Sequence, residues 1–416
     1  MIKLGIVGVG TVGESVVKIL SENKDIISAR AGKELKVVKG VVRNLSKKRD
    51  VEIELTDNYK DVTENPDIDI VIELMGGVEG AYEVVKSAIS NGKSVVTANK
   101  ALLAYHRFEL QNLATKPFEY EASVAGGIPI IKSLREGLSA NHIESIKGII
   151  NGTCNYMLTE MKKGADYSEI LKQAQELGYA EADPTFDVGG FDAAHKLLIL
   201  ASIAYNIDAK PEDILIEGIE NISSLDMEFA NEFGYEIKLL GIAKKDGDFI
   251  ELRVHPTMIK STEMIAKVDG VMNAVSVVGD KVGETLYYGA GAGGDATASA
   301  VISDIVSIAR GSNNPMLGFK KPLENREFVL RDRNDIKSKY YLRISVKDEV
   351  GILEKIAGIL ANNSISIDAF LQKSDKDSAN LLLSTHESIE KNIQSAVKDI
   401  EKLSFVFGKV NIIRID

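Results

Sequence analysis

Lys3-Leu4-Gly5-Ile6-Val7-Gly8-Val9-Gly10-Thr11-Val12-Gly13 is a short apolar strand running into three spaced glycines. A segment with apolar residues at three- and four-residue spacing, Thr11–Glu22, follows at once. In such a strand–loop–helix the first glycine permits a tight turn and the second lets backbone approach a pyrophosphate. The third lets the helix pack close to the strand, and the helix N-terminus faces the phosphate charge. The pattern predicts dinucleotide binding through Gly8, Gly10, Thr11, Val12 and Gly13.

Working outward, strand-like runs recur at Lys36–Val42, Ile68–Leu74, Ser94–Thr97 and Phe118–Ala122. Helical-period segments, Gly80–Asn91 and Ala101–Ala114, lie between them. This α/β alternation predicts a Rossmann-type, doubly wound parallel sheet over residues 1–130. Over 131–319 the order changes. Helices are expected at Ser168–Leu177, Asp192–Tyr205 and Pro211–Glu217, then strands at Glu236–Ala243, Phe249–Pro256 and Val275–Val278. A glycine run, 289–294, leads into an apolar helix Thr297–Arg310, and 297–319 is expected to pack back on the first domain. The middle segment reads as an α+β domain. Lys320–Ser338 is charged and reads as a linker. Residues 339–416 read strand, helix, strand, strand, helix, strand, the ferredoxin-like βαββαβ order.

Composition narrows the function classes. With 416 residues there is room for two or three cores. A formal net charge of −11 argues against nucleic-acid or anionic-membrane partners. No run of about 18 apolar residues is present, and the start lacks the pattern of a secretory leader. A single cysteine, Cys154, fits a reducing cytoplasm and reads as packing, with no base placed to make it a nucleophile. The five histidines show no metal-ligand spacing.

The second strand ends Gly40-Val41-Val42-Arg43, where an acidic residue would select NAD by holding the adenosine ribose. Arg43, followed by Lys47, Lys48 and Arg49, is either a solvated basic turn or a seat for the 2′-phosphate of NADP, with NAD still possible.

Residues 174–196 crowd Glu181, Asp183, Asp187 and Asp192 into a stretch that Pro184, Gly189 and Gly190 keep from forming one helix. Asp192 and Lys196 are four apart on the helix that follows and share a face. Spacing alone leaves two readings open. One is an ordinary surface ion pair; the other is a cleft pair that binds an amino acid and moves its hydroxyl proton. The stretch resembles the signature of the homoserine dehydrogenases at Ala174, Gly178, Tyr179, Ala180, Asp183, Pro184, Asp187, Val188, Gly190, Asp192 and Lys196. The likeness extends to Thr97-Ala98-Asn99-Lys100, to 121–129 and to Asn151-Gly152-Thr153, over roughly residues 1–320.

The resemblance implies NADP- or NAD-dependent interconversion of homoserine and aspartate semialdehyde in threonine, methionine and isoleucine biosynthesis. It implies Lys196 as acid/base, assisted by Lys100, which also lies by the cofactor. A lysine can act as a base if a second cation lowers its pKa. Glu181, Asp187, Asp192, Gly152 and Thr153 would bind substrate. A monovalent cation such as sodium would be held by Glu121, Val124, Gly126 and Ile128. A homodimer or tetramer, assembled through the middle domain, is also implied.

At the C-terminus, Tyr341-Leu342-Arg343-Ile344-Ser345-Val346-Lys347-Asp348 followed by Glu349-Val350-Gly351-Ile352-Leu353 resembles the opening of an ACT domain. This implies amino-acid sensing, with threonine as the expected effector, or assembly alone. Two further functional readings stand beside the main one: another NADP-linked amino-alcohol dehydrogenase, and an inactive sensor on a dehydrogenase scaffold.

Overall fold

A computed structural model of the chain describes residues 1–416 except 322, 324–326 and 376–377. Six strands, β1 (Ile2–Val7), β2 (Leu35–Val41), β3 (Glu54–Thr56), β4 (Ile70–Glu73), β5 (Ser94–Thr97) and β6 (Phe118–Glu119), form one parallel sheet. Their order is β3-β2-β1-β4-β5-β6. Helices α1 (Thr11–Glu22), α2 (Lys24–Ala31), α3 (Lys60–Thr63), α4 (Glu79–Ser90) and α5 (Lys100–Leu113) connect them. The chain winds outward from β1 to β3 and then returns to the other side of β1 at β4. Loops leaving β1 and β4 therefore diverge and open a crevice at the carboxyl ends of the strands.

Next come α6 (Ile130–Lys132), β7 (Ile143–Ile149), α7 (Gly152–Met161), α8 (Tyr167–Glu176), α9 (Thr185–Val188) and α10 (Phe191–Tyr205). They are followed by β8 (Leu215–Ile216), α11 (Ser224–Glu232), β9 (Tyr235–Asp246), β10 (Phe249–Lys260), β11 (Met272–Gly279), β12 (Gly283–Ala290) and α12 (Gly294–Ala309). The C-terminal elements are β13 (Val329–Leu330), β14 (Lys337–Lys347), α13 (Ile352–Asn362), β15 (Ile367–Asp375), β16 (Ser378–Thr385), β17 (Ser388–Ile389), α14 (Glu390–Ile400) and β18 (Asn411–Ile415).

These elements form two compact units. The first comprises Met1–Ile150, His195–Pro211 and Met272–Phe328; the second comprises Asn151–Ala194, Glu212–Val271 and Val329–Asp416. In the first, β12, β11 and β7 form antiparallel pairs, and α12 joins the core of the nucleotide sheet. Ala298, Val301 and Ile305 pack with Leu4, Ile6 and Val16. Each large aliphatic side chain buried there contributes about 1.5–3 kcal/mol.

In the second unit, β9 and β10 make a long antiparallel hairpin. The far edge of β10 accepts β18 in parallel, and the sheet continues through β14, β16 and β15 in antiparallel pairs. The last four strands are the ferredoxin-like sheet, covered by α13 and α14 around Leu342, Ile344, Ile356, Leu381 and Ile393.

Several sequence expectations are corrected. Pro211–Glu217 is not a helix: a single 3-10 turn, Pro211–Asp213, gives way to β8, which pairs with β10. The strand read as Phe118–Ala122 stops at Glu119, and Glu121–Ser123 forms a 3-10 turn. Lys320–Ser338 is not a free linker over its second half. Val329–Leu330 pairs with Phe249–Ile250, Arg331 meets Glu251 at 3.2 Å and Ile336 is buried. Four of the linker's residues, 322 and 324–326, lie outside the described ones. Polarity misled here because a strand two residues long needs backbone pairing and little apolar surface. Helices α2, α3, α6, α7, α9 and α11, and strands β3, β7, β12 and β17, went unread; α2 and α11 carry weak apolar periodicity.

Candidate active site

The crevice at the switch point of the parallel sheet has a volume of about 710 Å³. Val7, at the end of β1, lines it with Gly8 and Gly10 from the loop beyond, Val42 and Arg43 from the turn after β2, and Leu74 and Met75 from the turn after β4. Gly8 has φ +105°, and a side chain there would press on the Leu74 carbonyl at 2.7 Å. At Gly13 a Cβ would come within 2.8 Å of the Gly8 carbonyl, so glycine lets α1 seat on its own loop. Gly10, the residue before α1, is different: a Cβ there meets nothing within 4 Å. No side chain caps α1, which leaves its first N–H groups for an anion in that space. Arg43 is exposed at the crevice rim. Arg49, read only as added charge, reaches back with Nε donating to the Val9 carbonyl at 2.8 Å and Nη1 to those of Asn44 and Lys47. It pins the glycine loop to the turn after β2. Of the residues expected at the cofactor, Thr11, Val12, Gly13 and Lys100 are not among those lining the crevice.

The acidic stretch is held by a residue that sequence reasoning quoted but gave no role. Asn151 is buried; its Nδ2 donates to Asp187 Oδ1 at 2.8 Å and Asp192 Oδ2 at 2.9 Å. Its Oδ1 caps α7 by accepting from the Cys154 N–H. One amide thus binds two carboxylates that would otherwise repel, using both of its donor hydrogens. Thr153 Oγ1 donates to the Tyr179 carbonyl at 2.6 Å, which ties the start of α7 to the loop before Glu181. Glu181 itself is exposed on that loop. Cys154 is buried, with Sγ 3.2 Å from the Asp187 carbonyl, in keeping with packing.

Asp192 and Lys196 stand one turn apart on α10, both nine-tenths or more buried. Lys196 Nζ donates to the Ile150 carbonyl at 2.7 Å. His195 is directed elsewhere, edge-on to Tyr105. A buried lysine and carboxylate on one helix face do not make an exposed surface pair. Lys100 is the first residue of α5, behind the N-cap Asn99, whose Oδ1 accepts from Leu102 N–H.

The chain aligns with family models for the homoserine dehydrogenase NAD binding domain over residues 8–117, for homoserine dehydrogenase over 129–306 and for the ACT domain over 340–405. It is 55% identical to the homoserine dehydrogenase of Helicobacter pylori, covering all of this chain and 99% of that one. The chain belongs to the homoserine dehydrogenase family. It is an oxidoreductase that acts on a hydroxyl group, built from a nucleotide-binding domain, a catalytic domain and an ACT domain. A crystallised homoserine dehydrogenase from Thiobacillus denitrificans superposes with a TM-score of 0.94 at 48% identity, over all of this chain and 98% of that one. A hyperthermophilic archaeal homoserine dehydrogenase in complex with NADPH matches with a TM-score of 0.65 at 28% identity, over 76% of this chain and 99% of that one.

Three buried carboxylates of this family member escaped sequence reasoning or were read only by resemblance. Glu73, at the end of β4, accepts from Met75 N–H at 2.6 Å and Thr97 Oγ1 at 2.5 Å. Thr97 in turn accepts from the Asn99 N–H, and Asn99 Nδ2 donates to the Gly77 carbonyl at 2.8 Å. Glu73 therefore ties the loop after β4 to the segment that presents Lys100. Burial pushes its pKa up to about 7. Glu121 is likewise raised to about 7, by burial and then by the nearby Asp304. Its carboxylate accepts from Ile131 and Lys132 N–H, while Asp304 accepts from Glu121 N–H and meets Lys132 at 2.9 Å. Burial pushes Glu119 up as well, against the pull of its partner Arg135.

Glu73 and Glu121 hold protons in the folded chain that the unfolded chain releases near pH 4.5. Stability is fully present below that pH and falls as pH rises through about 7. Glu73→Gln keeps the shape and removes the charge, so its melting temperature should fall less steeply than the parent's between pH 4.5 and 7.5. Parallel slopes in thermal scans would show that Glu73 does not titrate in that window.

Proposed function

We propose a division of labour among the residues that interconvert L-homoserine and L-aspartate 4-semialdehyde. The observation that carries it is the pairing of buried Asp192 and Lys196 on one face of α10, each anchored by the polypeptide that leads into α7. Asp192, with Asp187 and Glu181, binds the substrate ammonium, and Gly152 and Thr153 shape the pocket. Lys196 then takes the hydroxyl proton, and returns it in the reverse direction. The Ile150 carbonyl, accepting from Nζ, orients the amine. Lys100 assists at the substrate oxygen. When bound, the nicotinamide accepts the hydride from the carbinol carbon. Oxidation of NADPH with aspartate semialdehyde, set against other short aldehydes, tests the reading; equal rates with all of them would defeat it.

NADP is the preferred cofactor in this proposal, because the turn that leaves β2 places Arg43, and not a carboxylate, on the crevice rim. Arg43→Ala should weaken NADPH binding by about 1.5–3 kcal/mol, the range of a hydrogen bond to a charged group, and spare NADH. Equal losses in fluorescence titrations of both would mean that Arg43 supports structure and does not read the phosphate.

A monovalent cation fits the turn at Glu121–Ile128. Ala125 and Gly126 both have positive φ, which curls the backbone, and the matching donors of Glu121, Val124, Gly126 and Ile128 are all oxygens. A cation there would supply fixed positive charge between the first domain and the next. The proposal further includes a cytoplasmic homodimer or tetramer and inhibition by threonine through the ACT domain. Among the described residues no helix is long and apolar enough to cross a membrane.

A further inference from the structure

A crevice of about 790 Å³ lies within the second unit, between the ACT domain and the segment 217–222. Its ACT wall is one face of α14 and the turn beyond: Gln394, Val397, Lys398 and Glu401 recur at three- and four-residue spacing. Lys409 and Arg343 complete that side. Arg343 is rigidly placed, with Nε donating to Asp226 Oδ1 at 2.9 Å and Nη2 to the Asn221 carbonyl at 3.2 Å. Its Nη1 has no partner among the described residues. Lys398 and Lys409 enter no ion pair there either. Of the two carboxylates in the walls, Glu217 is matched by two bonds from Arg414, whereas Glu401 uses one oxygen to accept from Val410 N–H and keeps the other. A chain with a formal charge of −11 has gathered into one cavity two lysines outside any ion pair among the described residues, an arginine whose charge Asp226 already meets but whose Nη1 still has a hydrogen-bond donor to offer, and one carboxylate with an oxygen to spare.

We propose that this crevice binds a small amino acid, its carboxylate held by Arg343, Lys398 and Lys409 and its ammonium by Glu401. A zwitterion answers both signs, whereas a polyanion would meet Glu401 and Glu217. The site is separate from the turn at Gly351: no residue of 347–353 lines the crevice. It also touches the catalytic loop. Gly218, in the wall, is so close to the Val188 carbonyl and Gly189 that even a methyl group would collide. Ile219 N–H donates to the same carbonyl at 2.9 Å. Val188 and Gly189 connect Asp187 to Asp192. A ligand that shifts 217–222 therefore shifts the carboxylates that hold the substrate, which is linkage through a shared contact.

This inference rests on the regulatory reading above and gives it a location. The test uses the full chain, with L-threonine as the probe, and reads homoserine oxidation and calorimetric binding. Lys398→Glu combined with Lys409→Glu should raise the half-effect concentration roughly tenfold or more, with kcat and KM unchanged. The double arginine variant should respond like the parent. If the glutamate variant responds like the parent while Gly351→Leu abolishes the effect, regulation stands and this site is refuted. If threonine gives no response, each other proteinogenic amino acid is tried at millimolar concentration. Binding that the glutamate variant loses supports the site with a different ligand. No binding by any of them overturns both the site and the regulatory reading.

Discussion

Lys196→Met should lower kcat by about 10²–10⁴-fold, the usual contribution of a positioned acid or base. Cofactor binding should stay near the parent's and the melting temperature should fall by only a few degrees, because the methionine fills the same apolar stem volume. Lys196 is nine-tenths buried, and Nζ is tied to a backbone carbonyl. Removing the amine leaves the Ile150 carbonyl without that donor, a loss of about 1–3 kcal/mol at most. Stopped-flow rates with homoserine, beside NADPH titrations, separate chemistry from binding. Turnover within about tenfold of the parent, equivalent to only about 1.4 kcal/mol in barrier, would refute the assignment and make Lys100 the base.

Arg414→Met is expected to have the largest effect on stability. Arg414 is completely enclosed, and its guanidinium donates to Glu217 at 2.8 Å and to Glu390 at 2.6 and 3.0 Å. Glu390 is also buried, and only Arg414 and its hydrogen-bond donors keep its pKa below the ordinary value against the effect of burial. Stripping one partner from a buried pair leaves an uncompensated charge, a loss of about 3–5 kcal/mol. Urea unfolding should show it. Adding Glu390→Gln should recover part of the loss, since the stranded charge is then gone. The pH dependence has a definite sign. A depressed carboxylate contributes stability above its unfolded pKa, near 4.5, and loses it as pH falls through the lower folded value. The gap between parent and Arg414→Met should therefore narrow in acid. A destabilisation below about 1 kcal/mol, no more than an exposed pair gives, would show that solvent reaches the cluster.

A second cluster shows why the ACT domain is not a detachable appendage. Asp226, fully buried on α11, accepts from Tyr341 at 2.8 Å, Arg343 at 2.9 Å and Asn411 at 3.1 Å, all from the C-terminal sheet. β18 also completes the edge of β10. Excision would strand Asp226 and bare a sheet edge, so tests of regulation belong on the whole chain.

Local sequence determined the parts whose physics is local. The glycine loop declares itself because its strand, its three glycines and the start of the helix that follows lie within thirteen residues. The parallel sheet follows from alternating periods, and α10 carries Asp192 and Lys196 to one face by helical spacing alone. The βαββαβ order at the C-terminus is equally legible. What no local pattern could supply were contacts between distant segments. The clamp of Asn151 on Asp187 and Asp192 spans 36 and 41 positions. Arg49 on the glycine loop spans 40, and Arg343 on Asp226 spans 117. Burial decided the rest: Glu73, Glu121 and Asp304 are ordinary acids in sequence, and only the closed core around them raises their pKa values. The supposed linker became a strand for the same reason. Its backbone found the open edge of β10, a partner some eighty residues earlier in the chain that composition cannot reveal.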